Sequence, residues 1–392
     1  MTIADRARKV LPGGSTRSTL FVPPHPPYAV RGEGAIITDH TGHQVVDCNN
    51  NYTSLVHGNA RPEIVKAAMD AARAGSSFGL PTRSEIALAE HLRERTGIQQ
   101  WRFCNSGTEA VLMLLRAARA RTGRDLIVRF EGSYHGTGDA VVSPSAPGVV
   151  ADSVLVLPQN DIEAVRTAMR DHGERIAAVL IDLMPNRAGL TPADPAYVSE
   201  LRSLTRQHGA LLAVDEVITF RLREGGLHQE YGLEPDLVSI GKVIGGGFPV
   251  GAIGGSTDVL SPFDPRTSGP VSWGGTFSAN PVTMNAGLTA LTLFRAPEIA
   301  ALNRRGEELR ARLTAAHVTV HGSGSLLRPI TSDPQALWWN LYERGVLCSS
   351  NGLLALSTAM TDDHIDHVAN VVIDLLGTHS QTDRRAAGMC ST

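Results

Sequence analysis

The chain has 392 residues, enough for two or three domains with a sizeable core, and its 42% hydrophobic and 19% charged content excludes a disordered or fibrous protein. A formal net charge of −3, with arginines interspersed among Glu and Asp, argues against the clustered basic surface that a nucleic-acid binder needs. The basic residues are 33 arginines and only three lysines, Lys9, Lys66 and Lys242, so lysine chemistry has three candidates.

The N-terminal MTIADRARKVLPGG has no apolar stretch of signal-peptide length, and no later segment approaches the ~18 apolar residues of a membrane span. A cytoplasmic protein is expected, with no membrane partner. In GEGAIITDHTGHQVVD two β-rich runs flank Asp39-His40-Thr41-Gly42, a turn tetrad that predicts a hairpin. His40 and His43 belong to that turn and lack a third ligand at fixed spacing, so no metal site is expected. Cys48, Cys104, Cys348 and Cys390 form no CxxC pair, which indicates neither zinc nor a disulfide framework.

From about residue 60 helices alternate with buried strands. Helical runs are predicted at 61–74, 82–96, 107–122, 162–172 and 196–208, between the apolar runs DLIVRF, SVLVLP, AAVLIDLM, ALLAVDEV and DLVSIGK. Short apolar runs separated by helices are the signature of strands buried on both faces, so the expected fold is α/β with a mostly parallel, doubly wound sheet. A long helix over 297–316, a β-rich stretch and a last helix over 361–377 predict a smaller α+β domain, and HSQTDRRAAGMCST at the end reads as a disordered tail.

Three motifs carry chemistry. Ser106, Gly107 and Thr108 open the helix at 107–122, where backbone N–H groups, hydroxyls and the helix dipole favour a phosphate; simple N-capping by Ser106 or Thr108 with Glu109 reads equally well. Asp215 ends ALLAVDEV at the carboxyl edge of a parallel strand, where a buried carboxylate requires a partner, either a cationic ring nitrogen or an arginine. Lys242 ends the next strand ahead of three glycines, an order that matches no P-loop, and an apolar setting lowers a lysine pKa and frees its amine as a nucleophile towards a carbonyl. Anion cradle, acidic strand end and lysine strand end together describe a pyridoxal-phosphate site.

With FCNSGTEA, FEGSYHG, ALLAVDEV, SIGKVIGGGFPVGAIGG and GGTFSANP in order, the chain from about Leu11 to Asp366 resembles the class III aminotransferases of the fold-type I pyridoxal-phosphate enzymes. Within them it is similar to the glutamate-1-semialdehyde aminomutase and β-amino-acid aminotransferase branch. The resemblance implies a large cofactor-binding domain at 51–294 and a small domain built from 1–50 and 295–378, with the tail at 379–392. It implies that Lys242 forms a Schiff base with the cofactor and shuttles a proton, and that Asp215 pairs with the pyridinium nitrogen. Ser106, Gly107 and Thr108 would bind the phosphate, and Tyr134 and Val217 would cover the two ring faces. Thr276 would reach the phosphate of the neighbouring subunit in an obligate homodimer with shared sites.

Two departures stand out. Asp182-Leu183 replaces the family's Glu-Pro, and Asn351, in Cys348-Ser349-Ser350-Asn351, stands where the β-amino-acid enzymes carry an arginine. Arg17, in Gly13-Gly14-Ser15-Thr16-Arg17-Ser18, keeps the branch's other carboxylate anchor, a task that suits a planar guanidinium. Tyr52 and Met184 are placed by position in the substrate pocket with Asp182 and Asn351.

The expected activity moves an amino group between an amino acid or amine, a β-amino acid among the candidates, and an oxo acid. With one arginine anchor retained, the donor is expected to be a monocarboxylate. An intramolecular aminomutase, an epimerase or decarboxylase on the same scaffold, and a nucleotide-binding module using the glycine-rich loops are the rival readings.

Overall fold

The computed structural model describes residues 1–150, 152–267 and 271–377. The tail expected at 379–392 lies outside the described residues. Contacts divide the chain into a larger unit, Pro62–Ala300, and a smaller one formed by Met1–Arg61 with the chain from Ala301 onward. The segment 51–61 packs with the N-terminal segment, through the bridge between Gly34 and Asn59 and the bond from Asn59 Nδ2 to Asp47 Oδ2 at 3.0 Å.

In chain order the smaller unit begins with β1 (Ala29–Glu33), β2 (Ile36–Asp39) and β3 (Gln44–Asp47), antiparallel neighbours in one sheet. The expected hairpin joins β2 to β3: Asp39 Oδ1 accepts from the Thr41 and His43 amides at 2.8 and 3.0 Å and fixes the turn. His43 Nε2 bonds the Tyr342 carbonyl at 2.7 Å, and among the described residues no cluster of His, Cys, Asp or Glu could hold a metal.

The larger unit is built on β4 (Gln100–Cys104), β5 (Leu126–Phe130), β6 (Val154–Leu157), β7 (Ile176–Ile181), β8 (Leu211–Asp215), β9 (Leu237–Gly241) and β10 (Gly251–Gly255). They form one seven-stranded sheet in the order β4-β10-β9-β8-β7-β5-β6. The β9-β8-β7-β5-β6 run is parallel and only β10 is antiparallel to its neighbours, so β4 points the same way as the parallel strands.

Each intervening helix is capped by its own sequence. Ser106, Asp161 and Asp194 accept from the amides of Glu109, Ala164 and Tyr197 at the starts of Gly107–Thr122, Ile162–His172 and Pro195–His208. Val111, Leu114 and Leu115 of the first pack on Ile127, Leu180, Ala213 and Ile253 of the sheet, all essentially fully buried. Each such side chain contributes about 1.5–3 kcal/mol by leaving water.

A long helix, Ala296–Ala315, begins within the bounds of the larger unit and continues into the smaller, which then adds β11 (Val320–Ser323), β12 (Leu326–Pro329), β13 (Val346–Leu347) and β14 (Leu354–Ala355), and a last helix, Asp362–Leu376. Within the β-rich stretch lies a helix, Pro334–Glu343, that the sequence reading did not separate. Asp333 caps it, and Trp338, Leu341 and Tyr342 at helical spacing form its buried face. β10 was likewise read only as part of a motif, because three glycines in GAIGG erase the β-branched signal of a strand. No helix among the described residues is long and apolar enough to cross a membrane.

Candidate active site

Because β4, β5, β7, β8 and β9 share a direction, the residues following each strand emerge on one edge of the sheet. That edge collects Ser106–Thr108 after β4, Tyr134-His135 after β5, Asp182 after β7, Asp215 at the end of β8 and Lys242 after β9. Open α/β sheets bind ligands at this carboxyl edge.

Asp215 is 5% exposed and, among the described residues, has no arginine partner. Ser239 Oγ and the Val217 amide donate to Oδ1 at 3.0 and 3.1 Å, and His135 Nδ1 lies 2.7 Å from Oδ2. A carboxylate only accepts, so Nδ1 carries the hydrogen of that last bond, and the buried Nε2 on the other side of the ring has no partner among the described residues. Asp182, equally buried, accepts from the Met184 amide at 2.9 Å. Desolvation, reinforced by the charge of Asp215, pushes its carboxyl up to about 7.

Lys242 feels the charge of both acids. Protein crowding strips water from its amine and pulls the pKa down to about 8, against the opposing charges of Asp215 and Asp182. Its backbone is left-handed, φ 50°, an unusual conformation for any residue that carries a Cβ, and one that clusters where function fixes the backbone. Lys9 and Lys66 are elsewhere: Lys9 Nζ contacts Met1 Sδ, and Lys66 pairs with Asp70 on an exposed helix face.

The loop before the first helix is closely built. Ser106 Oγ accepts from the Glu109 amide at 3.1 Å while Glu109 Oε2 accepts from the Asn105 amide, so the capping reading is realised and the Gly107 and Thr108 amides remain at a helix N-terminus. A Cβ on Gly107 would meet Val217 Cγ1 at 3.0 Å, which places Val217 directly against this loop. Gly136, at φ 103°, lets the Tyr134 loop approach within what would be 2.6 Å of Thr108 Oγ1. Thr276 lies on an exposed loop whose Ser278 Oγ accepts from Asn105 Nδ2 at 3.5 Å. Met184 is fully buried.

Arg17, Tyr52 and Asn351 belong to the smaller unit. Asn50, Asn51, Tyr52 and Thr53 all have positive φ, a left-handed turn that costs about 1–2 kcal/mol per residue. Asp47 Oδ1 accepts from the Asn50 amide at 2.7 Å and Asn49 Oδ1 from the Tyr52 amide at 2.6 Å, which pins the turn. Arg17 Nη1 donates to Asn51 Oδ1 at 2.8 Å and its guanidinium lies 5.7 Å from the Tyr52 ring centre. Tyr52 OH and Ser350 Oγ both donate to the Thr19 carbonyl, and Asn351 Oδ1 accepts from Ser349 Oγ at 2.6 Å. An arginine on an exposed N-terminal segment is thus held in place by an unusual backbone. Sequence reasoning assigned no role to His135, Ser239 or Asn51; for His135 the signal was its place beside Tyr134.

These features fit pyridoxal phosphate: an amine of lowered pKa, a buried carboxylate two strands' ends away from a helix N-terminus, and an aromatic loop beside them. The chain matches the family model described as aminotransferase class-III over residues 22–376. A β-phenylalanine transaminase of Variovorax paradoxus is 39% identical over 96% of this chain and 92% of its own. A glutamate-1-semialdehyde 2,1-aminomutase of Thermomicrobium roseum is 42% identical over 82% and 81%. The crystal structure of an omega-transaminase from Sphaerobacter thermophilus superposes with a TM-score of 0.91, at 42% identity over 95% of both chains. The chain belongs to the class III aminotransferases, and it is a pyridoxal-phosphate-dependent transaminase of the fold-type I architecture.

Proposed function

We propose that this transaminase works through Lys242 at the sheet edge and that its amino donor is a carboxylate-bearing amine, a β-amino acid in the first instance. The observation that carries the reading is the buried Lys242 amine, lowered to about 8, on the same sheet edge as the buried carboxyls of Asp182 and Asp215. At physiological pH roughly a tenth to a fifth of that amine is neutral and nucleophilic, whereas an ordinary lysine is almost wholly protonated.

When bound, the cofactor supplies a pyridinium ring that withdraws electrons from the carbon bearing the amino group. Asp215 would hold the ring nitrogen in its protonated form, with His135 and Ser239 keeping the carboxylate in place. Ser106, Gly107 and Thr108 donate to the phosphate, and Tyr134 and Val217 cover the ring faces and exclude water. Lys242 Nζ would hold the cofactor and, when free, would serve as the base that moves a proton at the substrate carbon. Asp182, protonated over part of the neutral range, donates a hydrogen bond where the family's glutamate stands.

Arg17, held by Asn51 and Tyr52, receives the substrate carboxylate, and the family resemblance assigns Met184 and Asn351 to substrate recognition. Thr276 serves the phosphate held by a second copy, which makes the working enzyme a homodimer; its exposure, with Phe277 beside it at 61%, supports that assignment. A cytoplasmic location goes with this reading. The β-amino donor is supported by the similarity to the β-phenylalanine transaminase and by the retained Arg17.

A second reading is supported by the similarity to glutamate-1-semialdehyde 2,1-aminomutases: an intramolecular transfer with the same residues. The deciding experiment offers the holoenzyme α-, β- and ω-amino compounds and follows the cofactor spectrum with and without an oxo acid. Fast conversion by β-amino acids, with turnover only when an oxo acid is added, is the expected result. Turnover of an amino aldehyde without any acceptor would establish the aminomutase instead.

A further inference from the structure

Two turns of the smaller unit start side by side. β3 and β13 are parallel neighbours with Asp47 opposite Leu347, so the left-handed turn Asn50–Thr53 and the turn at 349–353 leave the same end of that sheet. The second turn is closed by its own groups: Ser349 Oγ accepts from the Leu353 amide at 3.0 Å, and the Ser349 carbonyl from the Gly352 amide at 2.8 Å. Asn49 Nδ2, donating to the Cys348 carbonyl at 3.4 Å, joins the two.

The N-terminal segment 15–23, which carries Arg17, bridges them. Tyr52 OH from the first turn and Ser350 Oγ from the second, the latter at 3.1 Å, both donate to the Thr19 carbonyl and occupy its two lone pairs. Further along, Trp339 Nε1 donates to the Pro23 carbonyl at 2.8 Å. Arg17 itself is exposed, with Nη1 on Asn51 Oδ1 at 2.8 Å and the Tyr52 ring centre 5.7 Å away. Stacking on a ring orients a guanidinium without using its five N–H donors. Other arginines of the smaller unit pair with acids, among them Arg305 with Asp362, Arg312 with Asp366 and Arg344 with Asp374. Arg17 makes no ion pair among the described residues, and the nearby Asp47 is buried with its oxygens on the Asn50 amide and Asn59 Nδ2 at 2.7 and 3.0 Å. A neutral amide and a ring thus hold Arg17 with its charge intact, so that no ion pair has to break before a carboxylate enters.

We propose that Ser350 and Asn51 are positioning residues for Arg17: Ser350 fixes the backbone that carries it, through the Thr19 carbonyl, and Asn51 fixes its guanidinium without neutralising it. Together they make the enzyme select amines that bear a carboxylate over amines that lack one. This rests on the reading of Arg17 as the carboxylate anchor. The planar fork, held at one corner by Asn51, keeps its other donors for the two parallel hydrogen bonds that a carboxylate accepts.

The test gives the holoenzyme two amino donors with pyruvate as acceptor: 3-aminobutanoate, and 2-aminobutane, which has a methyl group in place of the carboxylate. The ratio of kcat/KM for the first over the second reads the carboxylate contact and is insensitive to partial loss of folded enzyme. Asn51→Asp, which keeps the side chain's size but sets a negative charge on the guanidinium, should lower that ratio by about tenfold or more. Ser350→Ala should lower it by about three- to tenfold, through KM for 3-aminobutanoate, and Ser350→Thr should restore most of it. In an Arg17→Met background neither Asn51→Asp nor Ser350→Ala should lower the ratio further. An unchanged ratio in both variants, or a fall that persists undiminished in Arg17→Met, would overturn the positioning role. If Arg17→Met lowers the ratio while the other two do not, the anchor stands and the positioning role fails; if Arg17→Met leaves the ratio unchanged, the anchor falls and the positioning role with it. Calorimetric binding of butyrate to the holoenzyme reads the same contact without turnover, so it still decides should neither donor react: Asn51→Asp and Ser350→Ala should each weaken it, and equal binding by wild type and both variants would overturn their role.

Discussion

The edge of the large sheet and the left-handed turn of the smaller unit place functional side chains in opposite ways. At the sheet edge, Asp182, Asp215 and Lys242 follow regular parallel strands, and position comes from the strand register itself. In the smaller unit, Tyr52 and Asn51 are held by four consecutive positive-φ residues that oppose the preference of L-amino acids and persist because Asp47 and Asn49 bind the turn. The contrast separates side chains placed by strand ends, with a single left-handed residue at Lys242, from side chains placed by a turn of four consecutive left-handed residues that neighbours must hold.

If that division is right, substitutions at the sheet edge strike turnover and those at the turn strike substrate binding. The largest expected effect is that of Lys242→Ala: kcat should fall by about 10⁴-fold or more, since both the covalent attachment and the proton carrier are lost. Retention of more than a few per cent of activity would remove Lys242 from the mechanism. Next comes Arg17→Met, expected to raise KM for a carboxylate-bearing donor by about 10- to 100-fold with kcat changed little, as befits a lost charge-assisted contact. A fall in kcat with unchanged KM would place Arg17 in the chemistry and erase the division.

The smallest effect concerns Asp182 and pH. Its native pKa is raised from 3.8 to about 7, so between those values the native state holds a proton that the unfolded chain has released. Stability therefore declines as pH rises through that window and is level on either side. Asp182→Asn should flatten this part of the decline, read as the thermal midpoint of variant and wild type across the window; identical slopes would mean that Asp182 is not desolvated.

Much of this was legible in the sequence for physical reasons. Strands buried on both faces leave continuous apolar runs, so the five parallel strands stood out, and Asp215 and Lys242 were visible as polar interruptions at their ends. β10 was hidden because close approach to neighbouring strands there requires glycine, which carries no strand signal. Partners distant in sequence were also hidden. Nothing in the run GSYHG says that His135 meets Asp215, 80 residues on, and no propensity foretells a left-handed turn at Asn50–Thr53. Ser350 looked like any turn serine until its bond to the Thr19 carbonyl, 331 residues away, was seen.

The most direct test of the central claim uses the scarcity of lysine in this chain. Reducing the holoenzyme with borohydride fixes whichever amine carries the cofactor, and peptide mass mapping then chooses among Lys9, Lys66 and Lys242. The expected result is one reduced pyridoxyl group per chain, on Lys242. Modification of Lys9 or Lys66 in its place, or of no lysine at all, would contradict the assignment of the sheet edge as the catalytic centre.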